Sequence, residues 1–389
     1  MAAIPATGLA ALRIDARAAY AMGRLAEAAG AQSAVLALAK AAGVQTGDDF
    51  LFAGLIHHAA GRLADALSVL KDGLCLFPDN AALHENLAVL ALKARDTAAA
   101  IAACQTALAL GSRSPNVHDC LCEAYWRTGL RDRAIEAGRV ALESKDRMFG
   151  ASSPLATIPA GKPPPFDPGQ PSQNVVAYTL WGNQPRYTVP LLENARIRPH
   201  LFPAWTIRVY HDRTVDPAYL AQLAALGVQL RPMLLDYGGP PYRALLWRFE
   251  AFADLDVKRF LIRDADSLLT VKERIAVDAW LRSDYHFHAM RDWYSHTDLL
   301  LAGLFGGVGG ILPSPAALLR EYKPWRMESD HIDQDLLAQA VWPAIRHDLL
   351  VHDSIFQPCL GSVAFPPFGD LPAGQHIGQN AFPLFSKSG

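Results

Sequence analysis

A repeat of 34 residues in the first part of the chain constrains the fold more than any other feature of the sequence. Small side chains recur at this step in three series: Gly54, Ala88 and Cys122; Ala66, Ala100 and Ala134; Gly73, Ala107 and Ala141. Two helices pack closely only where small side chains lie at their crossing. The repeat therefore predicts a stacked array of helix pairs, with residues 10–47 as a degenerate first unit.

The repeat resembles the tetratricopeptide repeat, in which a proline often ends the unit, as Pro78 does here. The resemblance implies an array that binds a peptide in a concave groove, pairs two subunits or acts as a rigid spacer. Four histidines fit either a groove lining or surface and packing roles, namely His57, His58, His84 and His118. We assign residues 1–150 to tetratricopeptide-like helical repeats.

A segment rich in proline, glycine and serine follows at residues 151–173. Three prolines stand together at Pro163–Pro165, and proline continues neither a helix nor the ladder of a strand. This composition predicts a domain boundary and a semi-rigid linker.

Residues 174–389 follow a different pattern, in which short apolar runs alternate with amphipathic stretches. The predicted strands are Asn174–Trp181, Trp205–Tyr210, Val228–Met233 and Arg259–Arg263. The predicted helices between them are Tyr187–Arg198, Pro217–Leu226 and Ala244–Leu255. Such alternation predicts a mostly parallel sheet with helices on both faces, whose ligands bind at the carboxyl ends of the strands.

Composition argues against several kinds of partner and location. The net charge of -2 gives no basic excess for binding nucleic acid. No uninterrupted apolar stretch reaches the roughly 18 residues of a membrane span. The start of the chain also lacks the apolar core of a secretory signal. The five cysteines are scattered and form no zinc-binding spacing, which favours a reducing, cytoplasmic compartment.

Two aspartates, Asp264 and Asp266, directly follow the apolar residues of the last predicted strand. Carboxylates one residue apart at the end of a strand suit a hard divalent cation such as Mn²⁺ or Mg²⁺, which can also bind a diphosphate. An Asp-x-Asp pair occurs in many solvated turns as well, so the pair alone does not define a metal site.

The order of these features resembles the GT-A glycosyltransferases, in which an Asp-x-Asp after a central strand holds the metal on a nucleotide-sugar diphosphate. The resemblance predicts an α + α/β chain, in which a GT-A, Rossmann-like α/β domain at residues 174–389 follows the helical repeats. It implies Asp264 and Asp266 as ligands of Mn²⁺ or Mg²⁺ and a nucleoside-diphosphate sugar as the donor. It also implies a contact between Asp264 and the ribose of the donor.

The triplet Asp333-Gln334-Asp335 precedes an apolar helix and is similar to the Asp-Gln-Asp of the glycogenin-like family of retaining GT-A enzymes. The resemblance implies that these side chains lie by the donor sugar and take part in catalysis. Acidic residues also suit the first turn of any helix, so a capping role fits as well. The glycine-rich segment Ala302–Gly307 either lets the backbone approach the sugar at Gly303 or forms a tight turn beside buried strands.

A motif near the C-terminus, His376-Ile377-Gly378, resembles the His-x-Gly of the same family. The resemblance implies His376 as a third metal ligand. The lysine-containing remainder of the family's motif is missing here, so His352 is the alternative ligand.

Other candidates rest on position rather than on a motif. Three arginines near the acidic motifs are candidates for binding phosphate: Arg248, Arg263 and Arg291. Trp181 follows the first predicted strand and either borders the nucleotide base or belongs to the core. An inverting reaction needs a general base. The sequence offers three carboxylates for this role without choosing among them: Asp292, Asp330 and Asp333.

Together these features predict metal-dependent transfer of a sugar, with a uridine diphosphate donor favoured, to a hydroxyl of a glycan or protein acceptor. The repeats would recruit the acceptor, bind a protein partner or mediate homo-oligomerisation. Two other functions stay open. One is a scaffold or adaptor that has lost turnover. The other is a metal-dependent nucleotidyl- or phosphotransferase, although the chain lacks a glycine-rich loop with a lysine.

Overall fold

The computed structural model describes residues 6–234, 237, 238, 240–325, 329, 331–367, 372 and 374–386. They form two compact units. One unit runs up to Ala141, and the other contains Leu142–Gly238 and the residues from Tyr242 onward. No helix among the described residues is both long enough and apolar enough to cross a membrane.

The first unit is a helical array in which each helix from the first to the sixth packs against the next. Its helices are α1 (Ala6–Ala21), α2 (Leu25–Ala42), α3 (Gly47–Ala59), α4 (Leu63–Leu76), α5 (Ala81–Lys93), α6 (Thr97–Ala109), α7 (Pro115–Arg127) and α8 (Arg131–Phe149). The end of α8, from Leu142, belongs to the second unit. The predicted helix pairs are confirmed, and α1 and α2 form a pair where the sequence shows only a degenerate repeat.

Close helix crossings explain the small residues of the repeat. A Cβ atom at Gly54 would lie 2.8 Å from Cδ2 of Leu70, because α3 and α4 touch there. Ala88 and Cys122, which occupy the same place in the next two repeats, are fully buried. A larger side chain at any of the three positions would push two helices apart.

The turns between paired helices also have the same backbone conformation in each of the three repeats. Gly61, Arg95 and Gly129 all have a positive φ, of 73°, 64° and 79° respectively. Glycine adopts this left-handed conformation without steric cost, whereas arginine does not. The middle repeat therefore keeps the turn geometry with a residue that is poorly suited to it.

The second unit contains a mixed sheet of seven strands in the order β3-β2-β1-β4-β6-β5-β7. The strands are β1 (Asn174–Leu180), β2 (Thr206–His211), β3 (Gln229–Pro232), β4 (Arg259–Ile262), β5 (Phe287–Arg291), β6 (Phe305–Val308) and β7 (Leu349–Asp353). Strand β6 runs antiparallel to both of its neighbours, and the other pairs are parallel. Four of these six pairs are parallel, so the mixed sheet is mostly parallel, as the sequence predicts, and β6 is its antiparallel strand.

Helices and single turns connect the strands. The α-helices are α9 (Pro185–Leu201), α10 (Pro217–Ala225), α11 (Val271–Leu281), α12 (Pro315–Glu321), α13 (Ile332–Leu336), α14 (Trp342–Ile345) and α15 (Phe382–Ser386). A π-helical turn, Leu337–Val341, joins α13 to α14, and the 3-10 segments are Pro171–Gln173, Pro241–Phe252 and Cys359–Gly361. The predicted helix at Ala244–Leu255 is thus replaced by a 3-10 segment.

Both faces of the sheet are covered, as the sequence predicts. Along β1, Val175 and Ala177 belong to one apolar core, whereas Val176 and Tyr178 belong to another on the opposite side. Successive side chains of a strand point to opposite faces, so one strand contributes to both cores. A strand buried in this way reads as a continuous apolar run, which β1 does.

The proline-rich segment at 151–173 belongs to the second unit and packs against the residues that follow it. The ring of Phe166 stacks on Trp205 with centroids 5.6 Å apart. The amide of Asn174 donates to the carbonyl of Asp167 at 2.9 Å, and Arg259 donates to the carbonyl of Pro164. Because apolar side chains such as Phe166 are interspersed among the prolines, the segment forms part of the unit's surface layer.

Candidate functional site

A pocket opens where β1 and β4 end. The two strands are parallel neighbours, so the residues that follow them meet at one edge of the sheet. The pocket is lined by Thr179, Leu180, Trp181, Tyr187, Leu245, Arg248, Asp264, Ala265 and Asp266. It therefore combines the Asp-x-Asp turn with the predicted Trp181 and Arg248.

The guanidinium of Arg248 joins the two acidic motifs. Its Nη1 donates to Asp264 and to the carbonyl of Arg263, and its Nη2 donates to Oδ2 of Asp333 at 2.7 Å. Arg248 is only 2% exposed. Burial acts to lower the pKa of Arg248, but Asp264 and Asp333 outweigh it and the net pKa is raised. A charged guanidinium therefore bridges the Asp-x-Asp turn and α13.

Only the first residue of the predicted triplet reaches this bridge. Burial raises the pKa of Asp333, against the opposing effect of Arg248. Asp335 is buried and accepts a hydrogen bond from Nε1 of Trp325 at 3.3 Å. The Oε1 of Gln334 is buried and has no hydrogen-bond partner among the described residues. Asp333 is thus the member of the triplet that the structure connects to the pocket.

Asp266 is paired with an arginine that the sequence reasoning missed. The Nε and Nη2 of Arg186 both donate to Oδ2 of Asp266, at 2.9 and 2.7 Å. The side chain of Arg186 is 51% exposed and that of Asp266 only 13%. Burial and the neighbouring Asp264 raise the pKa of Asp266, and Arg186 opposes this effect. The available signal was an arginine directly after Pro185, which begins the helix behind the first strand.

Gly303 lies against the Asp-x-Asp turn. Ile262 of β4 pairs with Phe305 of the antiparallel strand β6. Asp264, two positions after Ile262, therefore lies opposite Gly303, two positions before Phe305. A Cβ atom at Gly303 would lie only 1.9 Å from Oδ2 of Asp264. Glycine is required here because the carboxylate of Asp264 occupies the space of a side chain.

The other glycines of the same segment serve packing inside the sheet. A Cβ at Gly306 would lie 2.8 Å from the carbonyl oxygen of Phe260, and one at Gly307 would lie 2.4 Å from Cδ1 of Phe287. The glycines of the segment therefore have two roles. Gly303 borders the pocket, and Gly306 and Gly307 lie between buried strands.

Trp181 lies at the mouth of the pocket. Its ring is partly exposed, and the ring of Trp247 meets it edge-on with centroids 6.4 Å apart. Trp247 itself is buried. One tryptophan thus supports the other and leaves part of the Trp181 ring accessible to a ligand.

Two of the arginines assigned by position point away from the pocket, which corrects their assignment to phosphate. Arg263 is buried, pairs with Glu273 and donates to the carbonyl of Phe305 at 3.2 Å. Arg291 is buried and donates to the carbonyl of Leu299 at 2.7 Å. Since side chains alternate along a strand, Arg263 faces the side opposite to Asp264. Both arginines stabilise buried carbonyl groups instead.

Asp292 lies in a separate cluster after β5. Its carboxylate accepts hydrogen bonds from Lys272, from the hydroxyl of Ser354 at 2.5 Å and from the backbone N–H of Ile377 at 2.9 Å. With three donors already bound, the carboxylate is poorly placed to accept a proton from an acceptor hydroxyl. Its evident role is to hold the C-terminal segment that carries His376.

His376 is stacked on Trp293, with ring centroids 4.7 Å apart and planes inclined by 17°. Burial lowers its pKa. The segment after it reaches the acidic turn, where the N–H of Ala381 donates to the carbonyl of Asp266 at 2.7 Å. His376 as a third metal ligand stays a prediction. The structure brings its segment, but not its ring, into contact with Asp266.

The alternative ligand His352 is engaged elsewhere. Its Nδ1 is hydrogen bonded to Nε2 of His288 at 2.8 Å, and both rings are buried. Burial lowers the pKa of His352 to about 4, and that of His288 well below its ordinary value. Asp330, a candidate general base, lies outside the described residues.

The two aspartates of the turn fit a cation that is shared with a substrate. Across the part of the chain that the structure describes, no group of three or more His, Cys, Asp and Glu side chains is arranged to hold a metal. Mg²⁺ is usually bound by one or two carboxylates together with substrate phosphates. Asp264 and Asp266 each have one oxygen held by an arginine, through Arg248 and Arg186 respectively. The donor set therefore suits a cation bound with a phosphate, not a cage made by protein alone.

Comparisons with known proteins find tetratricopeptide repeats within the first unit. A model of the tetratricopeptide repeat matches residues 57–120. No curated protein matches the chain.

The solved structures that are similar to parts of the chain include the following three. A mutant of the O-GlcNAc transferase of Thermobaculum terrenum is 22% identical, with a TM-score of 0.43, over 68% of this chain and 51% of that one. The MamA protein is 23% identical, with a TM-score of 0.32, over 35% of this chain and 73% of that one. TTC0263, a tetratricopeptide protein of Thermus thermophilus, is 25% identical, with a TM-score of 0.29, over 33% of this chain and 70% of that one. The chain thus spans about half of the transferase, 51% of its length.

The repeat in the sequence, the helical array and the matching family model agree on the first unit. The chain carries tetratricopeptide repeats near its N-terminus, followed by an α/β unit with a mixed seven-stranded sheet.

Proposed function

We propose that the second unit is a GT-A-type glycosyltransferase domain that moves a sugar from a nucleoside-diphosphate donor to an acceptor hydroxyl. The observation that carries this proposal is the bridge through Arg248 between Asp264 and Asp333. Each of these aspartates begins one of the acidic motifs that resemble this enzyme class. The turn also follows β4, the fourth of seven strands, which corresponds to the central strand of the resemblance.

Asp264 and Asp266 would hold Mn²⁺ or Mg²⁺ together with the diphosphate of the donor. The cation supplies positive charge to the leaving diphosphate. Arg248 keeps Asp264 oriented, because its guanidinium is fixed by burial and by Asp333. The exposed part of Trp181 offers a surface for the nucleotide base, which the resemblance favours as uracil.

Asp333 would face the donor sugar from α13, and Gln334 and Asp335 would support it. The buried Oε1 of Gln334 lacks a hydrogen-bond partner among the described residues, so this oxygen can accept a hydrogen bond from a ligand. The similarity of the triplet to retaining enzymes favours retention of configuration. Asp292 acts as a positioning residue in this scheme, since its carboxylate is already occupied.

The tetratricopeptide array would recruit a glycan or protein acceptor or pair two copies of the chain, since such arrays are interaction modules. We also propose that the protein is cytoplasmic. A truncated chain that begins at Leu142, where the second unit begins, tests the two roles of the array. Full activity of the truncated chain on the native acceptor would contradict recruitment.

The first test is calorimetric titration of uridine and guanosine diphosphates with and without Mn²⁺. We expect Mn²⁺-dependent binding to the wild type, with the uridine nucleotide preferred, and its loss in Asp266→Ala. Asp256→Ala is the matched control, because Asp256 is exposed and does not line the pocket. Absence of nucleotide binding by the wild type in the presence of Mn²⁺ would contradict the proposal.

A further inference from the structure

The pairing of Arg186 with Asp266 suggests a role for an arginine outside the motifs. This inference rests on the proposed donor site. Arg186 directs both of its donated hydrogen bonds to the single oxygen Oδ2 of Asp266. That carboxylate is one of the two proposed to hold the cation. A guanidinium and a divalent cation repel each other, so they cannot both neutralise the same carboxylate at full strength.

The two arginines of the pocket differ in how firmly they are held. Arg248 is buried and binds two carboxylates and one backbone carbonyl. Arg186 is half exposed and binds one carboxylate oxygen. Exposed ion pairs contribute little to stability because water competes for both charges. Arg186 is therefore the arginine that a cation can displace, whereas Arg248 stays in place.

Once displaced, the guanidinium of Arg186 would stay close to the pocket. Arg186 lies in the first turn of α9, and its guanidinium already lies 5.3 Å from the ring centroid of Tyr187, which lines the pocket. Its backbone position is therefore fixed at the pocket wall. The planar fork of an arginine binds the oxygens of a phosphate in pairs, which a lysine cannot do.

We propose that Arg186 binds the diphosphate of the donor and that it neutralises Asp266 until a cation takes its place. Cation binding then releases the guanidinium at the position where the diphosphate arrives. The two ligands are coupled through one side chain, and thermodynamic linkage makes the coupling reciprocal. Arg186 therefore opposes binding of the cation alone and favours binding of the diphosphate with the cation.

Two titrations on Arg186→Met test the proposal, and both measure binding rather than activity. Mn²⁺ alone, titrated by calorimetry, should bind the variant about three- to tenfold more tightly than the wild type, because a competing ion pair of modest strength is gone. Uridine diphosphate at saturating Mn²⁺ should bind the variant about tenfold more weakly or worse, because a charge-assisted phosphate contact is lost. The two effects have opposite signs, which a general loss of structure would not produce.

Two further variants sharpen the result. Arg186→Lys keeps the charge but not the fork, so its nucleotide affinity should lie between those of the wild type and Arg186→Met. Arg196→Met is the matched control, because Arg196 is exposed on the same helix and pairs only weakly, at 3.4 Å, with Glu193. The control should bind both ligands as the wild type does.

The outcomes separate this inference from the proposed function. Unchanged or weaker Mn²⁺ binding by Arg186→Met would overturn the displacement, even if Asp266→Ala still abolishes nucleotide binding. Unchanged nucleotide affinity of Arg186→Met would overturn the phosphate contact. If the wild type binds no nucleotide with Mn²⁺, the donor site itself fails and the inference fails with it.

Discussion

Nη2 of Arg248 donates to Oδ2 of Asp333 at 2.7 Å, although 85 positions of sequence separate the two residues. The 3-10 segment that carries Arg248 is thereby fastened to α13. Because both side chains are buried, the charge of each is balanced by protein groups such as its partner and not by water.

Arg248→Met should destabilise the second unit by roughly 3–5 kcal/mol, because removing one member of a buried ion pair leaves its partners uncompensated. Urea unfolding followed by tryptophan fluorescence would measure the loss. Adding Asp333→Asn to Arg248→Met should recover part of it, since the amide removes a buried charge. A double variant as unstable as the single one would contradict this account, and Arg196→Met serves as the surface control.

Gly303→Ala should preserve the fold but displace the carboxylate of Asp264, because the new methyl group would overlap Oδ2. The carboxylate must then leave its position beside Arg248, and the loss of one charge-assisted contact weakens binding by about tenfold or more. We expect a loss of that order in Mn²⁺-dependent binding of uridine diphosphate, measured by calorimetry with circular dichroism as the check on folding.

Gly30→Ala is the matched control for Gly303→Ala, because a Cβ at Gly30 meets no atom within 4 Å and the residue lies within α2. Alanine favours a helix more than glycine does, so this variant should be as stable as the wild type or more so. Binding by Gly303→Ala at the level of the control would contradict the role given to Gly303.

The hydrogen-bonded histidines His288 and His352 should make the second unit sensitive to acid. Their folded-state pKa values are lowered by burial, that of His352 from 6.5 to about 4. The unfolded chain therefore binds more protons below pH 6.5, so stability is complete above that pH and falls as the pH decreases toward 4. The lowered pKa of His352 corresponds to a loss of roughly 3 kcal/mol across this window.

Urea unfolding at pH 7.5, 5.5 and 4.5 would measure this dependence, each pH being chosen around the window of roughly 4 to 6.5. His352→Asn should flatten it, because asparagine keeps a polar atom near the place of Nδ1 and does not titrate. His347→Gln is the control, since His347 is exposed. Equal pH dependence in the wild type and His352→Asn would contradict the assignment.

Arg95→Gly should stabilise the helical array by up to about 1 kcal/mol, because glycine adopts the positive φ of that turn without strain. Gly129→Arg, at the equivalent position of the next repeat, should have the opposite effect. Thermal unfolding of both variants would check the pair of expectations. A lower melting temperature for Arg95→Gly would show that the arginine side chain contributes contacts that outweigh the strain.

The helical array was predictable because the 34-residue repeat of small side chains results directly from helix packing. Gly54 and its equivalents are small because helices cross there, so the spacing of the sequence reports a contact in space. The strands were harder to predict. Strand β6 is short and rich in glycine, which in sequence resembles a turn, and its antiparallel direction depends on its neighbours β4 and β5.

Apart from Arg248, the candidate site was predictable where a motif or a strand end marks it. Asp264, Asp266 and Trp181 follow strands, and the structure brings them to one pocket. Arg263 is adjacent to Asp264, yet the alternation of side chains sends it into the core. Arg186 carries no motif at all. Pro185 indicates in the sequence where α9 begins, but only the fold brings the side chain of Arg186 to Asp266.

Because β6 runs antiparallel between β4 and β5, it also determines how far apart the segments that follow these two strands lie. Strands β4 and β5 both end at the edge of the sheet with the acidic turn, and β6 begins between them. Since neighbouring strands are about 4.8 Å apart, the exits that lead to Asp264 and Asp292 are separated by about 10 Å. The segment that leads into β6 brings Gly303 to this interval, and the carboxylate of Asp264 fills the space of its missing side chain. The order of the strands thus keeps the segments that carry Asp264 and Asp292 two strands apart.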